Sequence, residues 1–579
     1  MVLPAAPADA LRPRPRARLW LVVGLTAATV GGAALRLTGL GVGLPFQSDP
    51  DAVIVQQALA LERGAPRTGE NAISPLYPHL LALSLVALPG AMIDWAPAEG
   101  SFAQHARAAA RPHLLARRWL ALLATLVLPG VYCLARRFLP PAWALFAVCL
   151  LATSLLHLML SRQARPHGPL TAFSVWTLVS AVHLAKRPSS ATIGACCLGA
   201  ALTVGALHSG AAVMPAVALA CLVAARRARA RLRVACALPL AAALASYLWF
   251  YPFASAQGVL ASRRAMTVAA FDGSGFLSIA RSAWAFDPTM SVLAVAGAVY
   301  ACAAARRRHA RGERWWTVDA ALVAAFALPY LAVLGSYYRT LHRFTLPLIP
   351  LGAVLGAAGA MALARGVAGS SRAPLLARHA RLLVVGAALA LPTAAATRWV
   401  WLSLTPNTAD LAARWIEEHA SPDAEVIAVS GGVHLPLPQD REGMATAPKF
   451  VRSPMQRYLE AHPASPCPGP TFRLRPLIPP AVDGRLEMGE ESVAVLLAEL
   501  APRYAVVSPP RHFAAVEDGS RAAVLTAGGE RLARFEPYPV RADMGVPRYR
   551  RGGPLGYQAF AFALRSPLRG GPIEIYRLP

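Results

Sequence analysis

A chain of 579 residues in which 56% of positions are hydrophobic and only 15% are charged is not a soluble globular protein; that balance belongs to a polytopic membrane protein. The formal charge of +27 would suit nucleic acid if it covered one soluble face. Instead it is almost all arginine (Lys186 and Lys449 are the only lysines), lies in short clusters between apolar runs, and nearly cancels after Leu402. It is a topology signal and points to no nucleic-acid partner.

Residues 1–18 form a basic tail with Arg12, Arg14, Arg16 and Arg18, followed by an apolar run, Leu19–Phe46, interrupted by Arg36 and a few hydroxyls. The run is long enough to cross a membrane, and the arginines hold its start in the cytoplasm. It lacks a small-x-small cleavage site and reads as a signal anchor. Next comes Gln47-Ser48-Asp49-Pro50-Asp51-Ala52, two carboxylates within three residues at the point where the chain leaves the bilayer, then a predicted helix Ala52–Glu62. Acids contribute little to topology, so this pair suits the activation of an acceptor hydroxyl or the holding of a metal; a solvated turn is the plain alternative. Further apolar runs fall at Ile73–Trp95, Leu114–Leu134, Ala142–Leu160, Leu170–Leu184, Ala191–Leu207, Ala211–Ala224, Val234–Phe253, Met290–Ala305, Val318–Gly335, Thr345–Ala364 and Leu382–Leu402.

Five basic clusters separate these runs: Arg136-Arg137, Lys186-Arg187, Arg226 to Arg233, Arg306 to Arg314, and Arg365 to Arg381. If Ile73–Trp95 crossed the membrane, all five would face outward. If it lies in the interface, as Ser74-Pro75-Leu76-Tyr77-Pro78-His79 at its start suggests, all five are cytoplasmic. The second arrangement implies about eleven spans, with the N-terminus inside and the C-terminus outside. The outer loops are then Gln47–Arg117, Ser161–Gly168, His208–Gly210, Ala254–Pro288 and Ser336–Phe344.

Two of these loops carry arginines against the charge bias: Ser161-Arg162-Gln163-Ala164-Arg165-Pro166-His167-Gly168 and Tyr337-Tyr338-Arg339-Thr340-Leu341-His342-Arg343-Phe344. Guanidinium groups grip phosphate through paired donors, so Arg162, Arg165, His342 and Arg343 are candidates for a lipid-phosphate site. Pairing with local acids, or snorkelling to headgroups, is the alternative for each. His167 and His79 are candidate metal or substrate contacts. The metal is left unknown, although a divalent cation suits carboxylates and a histidine.

The acid pair in the first outer loop, the interfacial Pro-Leu-Tyr-Pro segment and the Ser-Arg-x-Ala-Arg loop together resemble the membrane glycosyltransferases of the GT-C class. So does Arg343-Phe344-Thr345-Leu346-Pro347-Leu348-Ile349-Pro350, which is similar to their Arg-Tyr-x-Leu-Pro-x-x-Pro pattern. The pattern is closest to the protein O-mannosyltransferases and the bacterial aminoarabinose transferases, and it covers Leu19 to about Glu418. It departs from them in the Pro50 between the two aspartates and in His167, where many relatives carry an acid. The resemblance implies a multi-pass enzyme of a bacterial-type inner membrane. Its donor would be a polyprenyl-phosphate-linked sugar and its acceptor a lipid, glycan or protein hydroxyl at the outer face of the bilayer. Asp51 or Asp49 would be the base, with Asp51 favoured because it starts the predicted helix and Asp49 can cap it. The organisation expected is therefore a multi-pass domain over 19–402, with external loop 47–117, and an extracytoplasmic α/β domain over 403–579.

Within that tail, Thr408 to His419 reads as an amphipathic helix leading into a strand at Glu425–Val429, and Tyr504–Val507 as another strand. No catalytic constellation is legible there. Seven of the eight cysteines lie in or beside apolar runs and only Cys467 is in the tail, so the tail has no internal disulfide, and Cys196-Cys197 reads as packing. A transporter or flippase of lipid-linked saccharides is the alternative, but such proteins place charges at the bilayer midplane and show repeats. Here charge gathers at one face. Cysteines placed at Arg137, Arg187, Arg229, Arg308 and Arg372 are expected to label from the cytoplasm, and Asp51→Cys and native Cys467 from the other side. Cytoplasmic labelling of Cys467 would overturn this topology.

Overall fold

The computed structural model describes residues 15–47, 52–62, 101–250, 271–313, 316–338, 340–370, 374–430, 433–440, 453–462, 470–477, 481–482, 485–486, 490–508, 514–536 and 559–579. The acid pair Asp49 and Asp51, His79 and the interfacial run Ile73–Trp95 lie outside the described residues, as does Cys467.

The chain is a polytopic helical membrane protein. Nine helices among the described residues are long and apolar enough to cross a membrane, or ten if the bent pair Pro141–Ala152 and Leu155–Ser161 is one span. Each of the eleven runs expected to cross coincides with one of these or with Ser190–Ala206, which at 17 residues is shorter. Large apolar side chains such as Leu198, Leu222, Leu248, Val295 and Leu328 are exposed on the helix surfaces. This is the inverse of a soluble fold and the expected finish for helices solvated by lipid.

Helix contacts depend on small residues. Pro288–Ala310 and Ile349–Ser370 approach so closely that a Cβ on Gly297 would strike the Leu355 carbonyl, and one on Gly359 the Leu293 carbonyl. Backbone contact of this kind is how helices associate where lipid removes the hydrophobic drive.

The basic clusters share one end of the bundle. Arg137 Nη2 lies 2.6 Å from His183 Nε2, Lys186 pairs with Asp319 at 2.5 Å, and Arg227 donates to the Ala185 carbonyl at 3.0 Å. The loop Ser161–Gly168, the segment His342–Leu348 and the C-terminal tail meet at the opposite end.

The tail forms a five-stranded sheet of β1 (Val426–Ser430), β2 (Arg473–Leu477), β3 (Tyr504–Val507), β4 (Glu530–Phe535) and β5 (Ile573–Arg577), in the order β2-β1-β3-β5-β4. β1 is parallel to β2 and β3, whereas β5 is antiparallel to β3 and β4. The strands alternate between two apolar faces. Ile427, Val429, Tyr504, Val506, Ile573 and Ile575 pack with helix Thr408–His419, and Ala428, Ala505, Val507 and Tyr576 pack with Val493, Leu497 and Val524 from the helices on the other side. Cover on both faces explains why the central strands β1 and β3 are apolar almost throughout.

The tail does not simply rest on the bundle. Helix Ala559–Arg565 inserts Ala559 and Ala563 into the same core as the spanning helices, and Phe562 meets Trp399 edge-on at 6.0 Å. Gly359→Val is expected to destabilise the protein by about 1–3 kcal/mol through overpacking against a backbone that cannot yield. Thermal unfolding in detergent checks this, and an unchanged midpoint would refute the close contact.

Candidate active site

The opposite end of the bundle is organised around the break in the segment Pro141–Ser161, whose halves meet at 57°. A broken helix leaves carbonyls without partners on one side and amides on the other. Two charged residues take them. Arg36, fully buried, donates to the carbonyls of Leu151 and Ala152, each at 3.3 Å, and to that of Gly32 at 2.8 Å. Its Nη2 also lies 2.9 Å from His157 Nδ1. On the other side, Asp287 accepts from the Leu155 amide and from Ser154 Oγ, both at 2.7 Å. Burial outweighs these hydrogen bonds and pushes the Asp287 carboxyl up to about 6.

The braced segment delivers the loop Ser161–Gly168, and its candidate residues divide into two groups. His167, at 6% exposure, has no hydrogen-bond partner on either ring nitrogen among the described residues. It lies within electrostatic reach of Arg165, Arg343 and His342. Its ring sits 5.7 Å from Phe344, over which Arg343 lies at 5.0 Å, while His342 stacks on Phe286 at 5.7 Å. Four of the residues singled out from sequence therefore gather here from two loops about 180 positions apart in the chain. Arg162 belongs elsewhere. Its guanidinium donates to the Thr38 carbonyl at 2.5 Å and to Ser403 Oγ at 3.1 Å, next to Arg569 from the tail, which donates to the same oxygen at 2.9 Å.

The flanks of the acid pair are held from several directions. Arg117 donates to the carbonyls of Leu40 and Val42 at 2.7 and 3.0 Å, and Phe46 stacks on Phe102 at 5.5 Å. The tail contributes helix Pro454–Ala461. The Met455 amide bonds the Pro45 carbonyl at 3.0 Å, Arg457 donates to Gln56 Oε1 at 2.7 Å, and Tyr458 is fully buried in the cluster with Val55, Ala58 and Leu59. Between the turns Gly41–Gln47 and the tail lies a cleft of ≈ 360 Å³. Among the described residues no group of three or more His, Cys, Asp or Glu is arranged to hold a metal.

Arg117, Asp287, Arg457 and Arg569 were not singled out by sequence reasoning. Each acts across a long chain separation on a backbone group or an uncharged side chain, and no local pattern marks such a contact.

Residues 111–255 match the family model described as dolichyl-phosphate-mannose-protein mannosyltransferase. Among solved structures, the archaeal oligosaccharyltransferase AglB from Archaeoglobus fulgidus, in complex with an inhibitory peptide and a dolichol-phosphate, superimposes with a TM-score of 0.50 at 12% identity, over 92% of this chain and 76% of its own. The chain has the fold of the GT-C membrane glycosyltransferases. ArnT from Cupriavidus metallidurans bound to undecaprenyl phosphate aligns at 14% identity, over 89% of this chain and 96% of its own, with a TM-score of 0.43. No curated protein sequence matches.

The raised Asp287 carboxyl makes this GT-C fold sensitive to pH with a definite sign. The folded state binds its proton more tightly than the unfolded state does. The contribution to stability is therefore fully present below the unfolded value of about 4 and is lost as pH rises through about 6. Asp287→Asn keeps an acceptor for the Leu155 amide and removes the titration. The fall in thermal midpoint between pH 4 and 7 is expected to be shallower in that variant; identical profiles would refute the assignment.

Proposed function

We propose that this GT-C chain transfers a sugar from a polyprenyl-phosphate carrier to an acceptor hydroxyl at the end of the bundle where the loops and the tail meet. The observation that carries this reading is the convergence of Arg165, His167, His342 and Arg343 beside aromatic rings, at the end of the membrane bundle opposite the basic clusters. Cations placed there against the topological bias suit an anion that arrives in lipid. The likeness to AglB, whose structure is in complex with a dolichol-phosphate, supports the same donor chemistry.

Asp51, or Asp49, takes the proton from the acceptor hydroxyl as the oxygen attacks the anomeric carbon. The bond from that carbon to the phosphate oxygen breaks, and the carrier phosphate leaves with the electron pair. Arg165 and Arg343 neutralise the charge that develops on it, and the rings of Phe286 and Phe344 hold His342 and Arg343 in place. The active end faces away from the cytoplasm of a bacterial-type inner membrane, with residues 403–579 on the same side.

Asp51→Asn is expected to reduce turnover by roughly a hundredfold or more with donor binding retained. If Asp49 is the base, Asp49→Asn shows that loss instead, and full activity in the double variant would remove the reading. Arg165→Ala and Arg343→Ala are expected to weaken binding of a polyprenyl-phosphate sugar roughly tenfold to a hundredfold, as loss of a charged hydrogen bond implies. Unchanged donor affinity in both folded variants would rule out this phosphate site.

A further inference from the structure

We propose a second anion site: the cleft between the turns Gly41–Gln47 and the tail holds a phosphate group, gripped by Arg569 in the cleft wall, with Arg162 behind it on the same Ser403 Oγ. This site is separate from the Arg165–Arg343 group and does not depend on the transfer reaction proposed above.

Both guanidinium groups converge on a single oxygen, Ser403 Oγ, at 3.1 and 2.9 Å. That hydroxyl donates its own proton to the Trp399 carbonyl at 3.0 Å, so two lone pairs serve two cations and nothing remains for further donors. Among the described residues neither arginine pairs with a carboxylate. Arg162 has the Thr38 carbonyl as its other acceptor, and Arg569 lies over the Trp399 ring at 4.8 Å.

Like charges brought together without a counter-ion repel. Burial first, and then the neighbouring arginines, pull Arg569 down to about 9 and Arg162 to about 10. A dianion beside them reverses both effects, because it adds further acceptor oxygens and the counter-charge that, among the described residues, no paired carboxylate supplies.

The surroundings fit such a ligand. Arg569 lines the ≈ 360 Å³ cleft together with Leu44, Phe46, Leu404, Arg414 and Asp410. Asp410, the acid among the lining residues, is occupied, because its Oδ2 accepts from the Asn407 amide at 2.7 Å at the start of helix Thr408–His419. Gly39 gives Arg162 its access. It adopts φ +69°, and a Cβ there would lie 2.9 Å from Arg162 Nη2. A lining that brings Arg414 and Arg569 together with both polar and apolar side chains suits either free phosphate or the head of a phospholipid.

The test uses the full chain in a neutral detergent, with inorganic phosphate and dodecyl phosphate as probes. Modification of Arg569 in the parent protein by phenylglyoxal, read by mass spectrometry, is expected to slow severalfold with at least one probe, and still to slow in Arg343→Gln. In Arg569→Gln the probe concentration giving half-maximal thermal protection is expected to rise about tenfold or more. Dodecyl phosphate acting at much lower concentration than inorganic phosphate would identify a lipid headgroup, and equal potency a free phosphate. Unslowed modification of Arg569 with both probes, or an unchanged midpoint in Arg569→Gln, would overturn the site.

Discussion

The arrangement of the candidate active site depends on how the break at Ala152–Leu155 is made tolerable. An unpartnered carbonyl or amide among apolar helices costs several kcal/mol, and a 57° bend exposes both kinds. Arg36 takes the carbonyls and Asp287 the amide, each from a segment more than a hundred positions away in the chain. Opposite charges thus brace the two sides of one break. Three segments are fixed by the same contacts: the first span, the bent segment and the turn before Pro288. The direction in which Ser161–Gly168 leaves the bundle follows from them.

That loop has two faces with different chemistry. Toward His342–Leu348 it presents Arg165 and His167 to aromatic rings and further cations; toward the tail it presents Arg162 to backbone carbonyls and a serine. The division has a geometric cause. Arg162 follows directly on the last helical residue, Ser161, and its side chain reaches back to Thr38 and Ser403, whereas Pro166 is the cap position of the next helix, whose first residue, His167, lies against Phe344. The six residues from Arg162 to His167 therefore serve two basic groups.

How much of this was legible in sequence varies with the range of the interaction involved. Apolar run length located the helices, because lipid imposes a minimum length on each one. Burial on both faces made β1 and β3 legible, and strong amphipathicity did so for Thr408–His419. The bend was not legible. Ala142–Leu160 reads as one uninterrupted apolar run, since Thr153 and Ser154 are too few to lower its hydropathy. Arg36 stood out as an interruption of the first run, but its partners are backbone carbonyls, which carry no sequence signature. Arg162, Arg165, His342 and Arg343 share the two loops that carry arginines against the charge bias, and that criterion could not separate Arg162 from the other three, while His167 stood out only as a candidate metal or substrate contact. Arg569 lies in a stretch where basic residues are ordinary, so nothing marked it. The expected acid pair and His79 fall outside the described residues, and the base remains a sequence-based assignment.

The tail has a larger part in the site than its position after the last span suggests. Helix Pro454–Ala461 bonds the chain at Pro45 and Gln56, on either side of Asp49 and Asp51, and buries Tyr458 among residues of helices Ala52–Glu62 and Phe102–Thr125. Arg569 reaches Ser403 from the far end of the tail, and Ala559–Arg565 is packed into the spanning core. Without the tail, the Pro45 carbonyl and the Gln56 side chain would each lose a partner, and Val55, Ala58 and Leu59 would lose part of their cover. The short helix Ala52–Glu62 is too short to persist alone in water, so its geometry is owed to this packing. The tail is thus a structural component of the loop that carries the acid pair, and the cleft exists only because the two halves of the chain enclose it.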